Sequence, residues 1–278
     1  MLDDARIQAP WALRSVPPFP TIAQRVLGLV SQDDASVGDV YDIVKLDPSF
    51  SAGLLRLANS ALFGVQREIK SVQQAISMVG LDRVKTMATI VAMDRMVRSS
   101  VQIGALRKIW IHSLATAVIA EEAAHLNHMA RDMAYTGGLL HNLGALGLMS
   151  AYPKEYARML EVSNEFGFDL LATERDLFEI DHCLAGCYLA QDWDFPDELA
   201  AAIAGHHDEP VTGEVSLDNL LRVSWRLADT VGFAAFSPAK DWQFEELTGF
   251  LPKKGSWLGE DVETARKELD SRLSSVLI

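Results

Sequence analysis

The sequence predicts an all-α protein built as a two-lobed helical bundle. An N-terminal helical lobe over 1–99 packs on a second helical lobe over 100–236, and a C-terminal extension over 237–278 ends in an amphipathic helix. Three observations carry this. Apolar residues recur at three-four spacing along almost the whole chain. Polar caps and proline or glycine stops stand at the ends of those stretches. No alternating, strand-like run of note interrupts them. The 278 residues are nearly half apolar, which suffices for a sizeable core.

The elements follow in order. Pro20 to Ser31 places Ile22, Val26, Leu29 and Val30 on one face. Ser36 caps a short helix with Val40, Ile43, Val44 and Leu46 inward. Asp47-Pro48 reads as an N-cap with a first-turn proline, opening a helix over Ser49 to Asn59 that carries Leu54, Leu55 and Leu57. Ser71 with Gln74 forms a capping box, and Gly80 closes that helix. A long helix follows from Leu81 to Val97. The small, polar stretch from Ser99 to Gly104 marks the boundary between lobes.

The second lobe begins with a helix over Ala105 to Leu126. Met133 to Ser150 is the next helix, then Pro153 to Phe166, stopped by Gly167. Asp181 to Trp193, Pro196 to His207 and Leu217 to Phe236 follow. Residues 210–213, 237–238 and 252–255 read as loops. The last helix, Asp261 to Leu277, carries Ala265, Leu269, Leu273 and Val276.

Composition excludes several functions. The net charge is −13, which argues against a nucleic-acid backbone or an anionic membrane surface as partner. Two cysteines, Cys183 and Cys187, lie four apart in a predicted helix and read as buried small hydrophobes, which fits a reducing cytoplasm. The N-terminus is acidic and has no apolar stretch typical of a signal peptide. Met133 to Pro153 carries no formal charge and is long enough for a bilayer. Its glycines, His141 and Asn142 instead suggest a helix buried in protein.

The candidate site is a set of polar side chains spread along the second lobe: His112, the pair His141-Asn142, His182, the pair His206-His207, and Asp229. Five of the seven histidines fall in it. Each sits on a predicted helix, and a bundle can aim such groups at one interior point. Neutral imidazole suits Zn, Fe, Mn, Ni or Cu. His125 and His128 fall outside the set and read as surface residues. Arg222 and Arg226 read as solvated or ion-paired surface on the Asp229 helix. Lys70, Arg83 and Lys85 read as exposed charges of the first lobe, and Trp110, Trp193 and Trp225 as core or interface fillers.

The arrangement resembles the HD superfamily of metal-dependent phosphohydrolases, with His141-Asn142 in place of the His-Asp pair, His112 as the first histidine and Asp229 as the last aspartate. His182 and His206-His207 resemble the extra histidines of the HD-GYP phosphodiesterases. The segments Val-Pro-Pro-Phe-Pro-Thr-Ile-Ala at 16–23, Leu-Asp-Pro…Leu-Arg-Leu-Ala-Asn-Ser-Ala-Leu-Phe-Gly at 46–64 and Ser-Val-Gln-Gln-Ala-Ile-Ser-Met-Val-Gly-Leu at 71–81 resemble the HDOD domain, an HD-related output domain of bacterial signalling proteins. The resemblance covers roughly 16–209 and implies an all-α fold with an HD-like second lobe.

Two departures from active HD enzymes bear on function. Asn142 replaces the metal-bridging aspartate, and Ala145 stands where HD-GYP proteins carry a lysine. The expectation is therefore a non-catalytic regulatory module that binds a signalling protein partner or a small nucleotide ligand. The alternative is a residual phosphohydrolase acting on a nucleotide or cyclic dinucleotide. Either no metal or one weakly held Fe, Mn, Zn or Ni ion is expected. His112, His141 and Asp229 would be its first ligands, with His182, His206 and His207 lining a second position.

Overall fold

The computed structural model describes residues 10–274 except 17, 33, 61–68, 99–103, 194, 238, 239, 252, 254 and 260, and leaves the side chains of 94–98, 256 and 259 undescribed. Among the described residues the chain is helical, with no strand. The first lobe holds α1 (Thr21–Val30), α2 (Val37–Val44), α3 (Pro48–Ala58), α4 (Val72–Val79) and α5 (Leu81–Arg98). The second begins with α6 (Gly104–Leu126), α7 (Arg131–Leu140), α8 (Leu143–Ala151), α9 (Pro153–Phe166) and α10 (Leu170–Phe178). It continues through α11 (His182–Asp192), α12 (Asp197–Ala204) and α13 (Leu217–Ala228). Beyond it lie α14 (Phe244–Phe250) and α15 (Val262–Leu273). The predicted boundary at 99–104 falls almost wholly outside the described residues, as does Val276.

Local chemistry explains most helix starts. Ser36 accepts from the Asp39 amide while Asp39 reaches back to the Ser36 amide, a reciprocal box that opens α2. Asp47 caps α3 with Pro48 in its first turn, as expected. The expected box at Ser71 is only half formed. Ser71 accepts from the Gln74 amide at 3.1 Å, but the Gln74 side chain takes the Lys70 amide instead. Gly80 closes α4 at φ 82°, a conformation that favours glycine. Leu46 is exposed rather than inward, because α2 ends at Val44 and the chain turns out.

The core is organised around α6. Its residues from Ile109 to Ala120 are almost all buried, on every face, so the helix is wrapped rather than amphipathic. It packs on α7 and α13, and through His112 it meets the turn after α13. α1 and α5 join the first lobe, and α5 packs on α7 to connect the lobes.

Three expected elements need correction, and two helices are added. Met133 to Ser150 is two helices, α7 and α8, broken at His141-Asn142. The helices on either side of the break lie close against different partners through glycines. A Cβ at Gly138 would lie 2.6 Å from the Ala117 Cα of α6, and one at Gly144 would lie 2.0 Å from the His182 carbonyl oxygen of α11. The expected Leu217–Phe236 helix stops at Ala228 and passes into a π-helical turn over Asp229–Phe233, where Gly232 has φ 92°. The expected Pro196–His207 helix stops at Ala204, so both histidines sit on the turn after it. α10 and α14 were not expected at all. No helix of the described residues is long and apolar enough to cross a membrane.

The backbone contact at Gly144 has a direct test. Gly144→Ala is expected to lower unfolding free energy by at least about 3 kcal/mol, since neither backbone can yield. Gly249→Ala, where a new Cβ meets no atom within 4 Å, is the control. It is expected to stay within about 1 kcal/mol of the parent. Urea denaturation followed by circular dichroism measures both.

Candidate metal centre

The broken helix delivers the first part of the site. His141 follows α7 at the turn, packed between α6 and α11 by the two glycine contacts. His112 comes from the middle of α6. His182 opens α11, capped by Asp181. His206 and His207 come from the turn after α12, and Asp229 from the end of α13.

The five imidazoles form one continuous group. Ring centroids lie 5.1 Å apart for His112–His141, 5.1 Å for His141–His206, 5.3 Å for His182–His206, 5.0 Å for His182–His207 and 4.5 Å for His206–His207. All five come together, as the sequence expectation required. Asn142 is buried at the same turn. His125 and His128 are exposed and stand apart, as expected.

Hydrogen bonds fix how three of the rings face. His141 Nδ1 lies 2.6 Å from the Gly138 carbonyl, His206 Nδ1 lies 2.6 Å from the Ile203 carbonyl, and His182 Nδ1 lies 2.8 Å from Glu174 Oε2. A carbonyl only accepts, so Nδ1 of His141 and His206 must carry the proton. Their Nε2 atoms then present lone pairs. The Nε2 atoms of His141, His182 and His206 are all buried without a hydrogen-bond partner. A buried polar atom left unpaired costs about 1–3 kcal/mol. Three such atoms in one place are donors that could hold a metal ion.

Electrostatics follow from burial and neighbours. Burial pushes His141 and His206 well below the ordinary histidine value, and neighbouring imidazoles push them further. Burial, then the adjacent rings and Arg226, lowers His207 as well. His182 differs. Burial opposes its charge, but Glu174 and Cys183 outweigh that and hold it well above its ordinary value. Glu174 is fully buried; it accepts from the His182 amide at 2.8 Å and from the Tyr156 hydroxyl. His112 shares its Nδ1 between the Phe233 carbonyl at 3.1 Å and Asp229 at 3.3 Å. Burial takes His112 down to about 4 and Asp229 up to about 7, the latter against the pull of Arg226.

The donor geometry differs from the expected ligand order. His182, Cys183, His206 and His207 offer ligand atoms that all lie within 4.8 Å of one another. His112, His141 and Asp229 are next to this group. Cys183 was expected to be an inert buried residue. It is buried, yet it stands in the donor set. Glu174 was missed with its helix. Asp169 as N-cap and the spacing of Leu170, Glu174 and Phe178 were signal enough for both.

Arg226 and Trp225 also need correction. Arg226 is buried, not on the surface. It donates to the His207 carbonyl at 2.9 Å and to the Arg222 carbonyl at 2.8 Å, and lies 4.5 Å from the Trp225 ring. Trp225 is part of the site wall: its Nε1 donates to the His206 carbonyl at 2.6 Å and its ring lies 4.7 Å from His207. These bonds clamp the turn that carries both histidines. Arg222 is ion-paired with Asp208, as expected.

The cluster opens on one side into a cavity of about 660 Å³. Arg226, Lys240 and Trp242 line it, with Lys240 set 3.3 Å over the Trp242 ring. Five carboxylates line it too: Asp169, Glu209, Asp229, Asp241 and Glu245. The mouth is therefore acidic on balance, which favours cations over polyanions.

In sequence and fold the chain is similar to known proteins. The HDOD domain family model matches residues 16–209. An HDOD domain protein of unknown function from Geobacter sulfurreducens superposes with a TM-score of 0.71, at 23% identity, over 94% of this chain and 91% of that one. A candidate signal transduction protein from Marinobacter aquaeolei VT8 superposes with a TM-score of 0.70, at 25% identity, over 94% of this chain and 59% of that one. A protein of Treponema pallidum (strain Nichols) is 25% identical over 197 residues, 70% of this chain but only 38% of that protein.

The buried Glu174–His182 pair gives a stability prediction. Glu174→Ala removes the partner of a buried imidazole and of Tyr156, and should cost about 3–5 kcal/mol. Urea titration of the metal-free protein measures it; a loss under about 1 kcal/mol would mean that the pair is not held as described.

Proposed function

The chain belongs to the HDOD domain family, and from that premise we propose that it is a regulatory signalling module with a degenerate HD-type site, one that binds rather than hydrolyses. The observation that carries this reading is the His141-Asn142 pair. Asn142 places a neutral amide where two adjacent cations would need a bridging anion. Of the nearby carboxylates, Asp229 is engaged with His112, and Glu174 lies behind His182 on its Nδ1 side.

The donor set fits one metal ion. Three imidazoles, two of them (His182 and His206) with an unpaired Nε2, and a thiol suit Zn, Fe or Ni better than a hard, oxygen-seeking cation. His182, His206 and His207 with Cys183 would hold it. His112, His141 and Asn142 would stand beside it, with Asp229 at the cavity side. When bound, such an ion supplies a Lewis-acidic point. Glu174 would orient His182 and strengthen it as a ligand. Arg226 and Trp225 would hold the His206-His207 turn in place.

The acidic mouth supports the same reading. A nucleotide or cyclic dinucleotide brings two or more negative charges to a rim with five carboxylates and two basic groups. A protein partner that reads the state of the second lobe is the better proposal. The Marinobacter neighbour, a candidate signal transduction protein, is consistent with that role.

Two outcomes are expected. Protein purified without added metal and dialysed exhaustively should hold at most one equivalent of transition metal, weakly, by mass spectrometry of metal content. Asn142→Asp should raise that content, and His206→Ala should lower it. Cyclic dinucleotides and generic phosphodiesters should not turn over at about 1 per second or faster. Two tightly held metals per chain, or robust turnover lost in His141→Ala, would replace this reading with a phosphohydrolase.

A further inference from the structure

A second cavity, of about 510 Å³, lies where the two lobes meet. It shares no residue with the cavity beside the histidines. One wall is α1 and α5, through Leu27, Gly28 and Lys85. The other is Met133 of α7, Trp193, Phe195, and Leu199 of α12. The volume is within the range of small-molecule sites.

Two features set this cavity apart from a packing gap. The first is Gly28. It sits in the interior of α1, where glycine weakens a helix relative to alanine. Close packing does not require it, since a Cβ there would meet no atom within 4 Å. Its effect is to leave the cavity wall bare. The second is charge. Lys85, expected to be an exposed surface charge, is half-buried against the cavity, while Asp132 and Asp192 stand exposed at its rim. Among the described residues none of the three has an ion-pair partner. A cation and two carboxylates thus share one pocket with an aromatic and aliphatic wall.

We infer that the interlobe cavity binds a zwitterionic small molecule of amino-acid or dipeptide size with an apolar, preferably aromatic, side chain. Lys85 takes the carboxylate, and Asp132 and Asp192 take the ammonium. The side chain lies against Trp193, Phe195 and Leu27. A ligand there touches both lobes, so it favours the arrangement in which they are packed together. This inference uses no residue of the histidine cluster and stands apart from the proposed function.

The test is isothermal titration calorimetry on the full chain, with chelator present so that the metal centre plays no part. The probes are L-phenylalanine and L-phenylalanyl-L-phenylalanine, beside phenethylamine and 3-phenylpropionate, which each lack one charge. At least one zwitterion should bind one-to-one with a dissociation constant between about 1 μM and 1 mM. Each single-charge analogue should bind at least about tenfold more weakly. Lys85→Ala should weaken the zwitterion about tenfold. Gly28→Leu should abolish binding by filling the cavity while leaving a folded, undiminished helical signal. The inference is overturned if no zwitterion gives saturable heat at about 10 mM. It is equally overturned if the analogues match the zwitterion, or if Gly28→Leu binds as the parent does.

Discussion

The contact of α8 on α11 at Gly144 governs the second lobe. No side chain fits between the Gly144 α-carbon and the His182 carbonyl, so the two helix starts are held at backbone distance. The break between α7 and α8 falls at His141-Asn142, between this contact and that of Gly138. The same contact brings His182 to within ring distance of the histidines from the other elements. Gly138 against Ala117 does the equivalent work toward α6 and His112. A buried polar pair at a helix break is costly unless something is gained there. Here the gain is convergence: groups far apart in sequence are set in one water-poor group.

Within that group, burial and hydrogen bonding push in one direction for most members. His141 and His206 are neutral rings with protonated Nδ1 turned onto backbone carbonyls, so their free nitrogens are fixed in place before any ligand arrives. Glu174 does the corresponding task for His182 with its carboxyl group, and the Tyr156 hydroxyl donates to that group from behind. Charge is scarce where a second cation would need it. Imidazoles supply electron pairs but no anion, and Asn142 supplies a dipole only. The acid-lined mouth adds negative potential outside the cluster rather than between its rings. The arrangement thus suits one soft ion far better than two.

Much of this was legible in the sequence. The three-four spacing gave the helical fold, and the caps at Ser36 and Asp47 mark true helix starts. The five histidines and Asp229 were recognisable as one set from their order and motifs. The breaks were not legible. Helical periodicity continues straight through His141-Asn142, because both sides of the break are buried and apolar; only the packing of Gly138 and Gly144 decides where the chain turns. The π-helical turn at Asp229 was hidden in the same way, its only local sign being Gly232. Arg226 was read as surface because arginine usually is. Its burial depends on three backbone carbonyls that the fold brings to it. Cys183 looked inert because cysteine packs well, and its place in the donor set depends on α12 and the turn behind it.

The measurement that bears most directly on the central claim is X-ray absorption spectroscopy of the zinc-loaded protein. One ion held by His182, Cys183, His206 and His207 predicts a single sulfur scatterer at about 2.3 Å and imidazole nitrogens at about 2.0–2.1 Å, with no metal–metal signal. Cys183→Ser should remove the sulfur shell and leave the nitrogens. A shell of nitrogen and oxygen only, or a second metal at about 3.5–4 Å, would contradict the account.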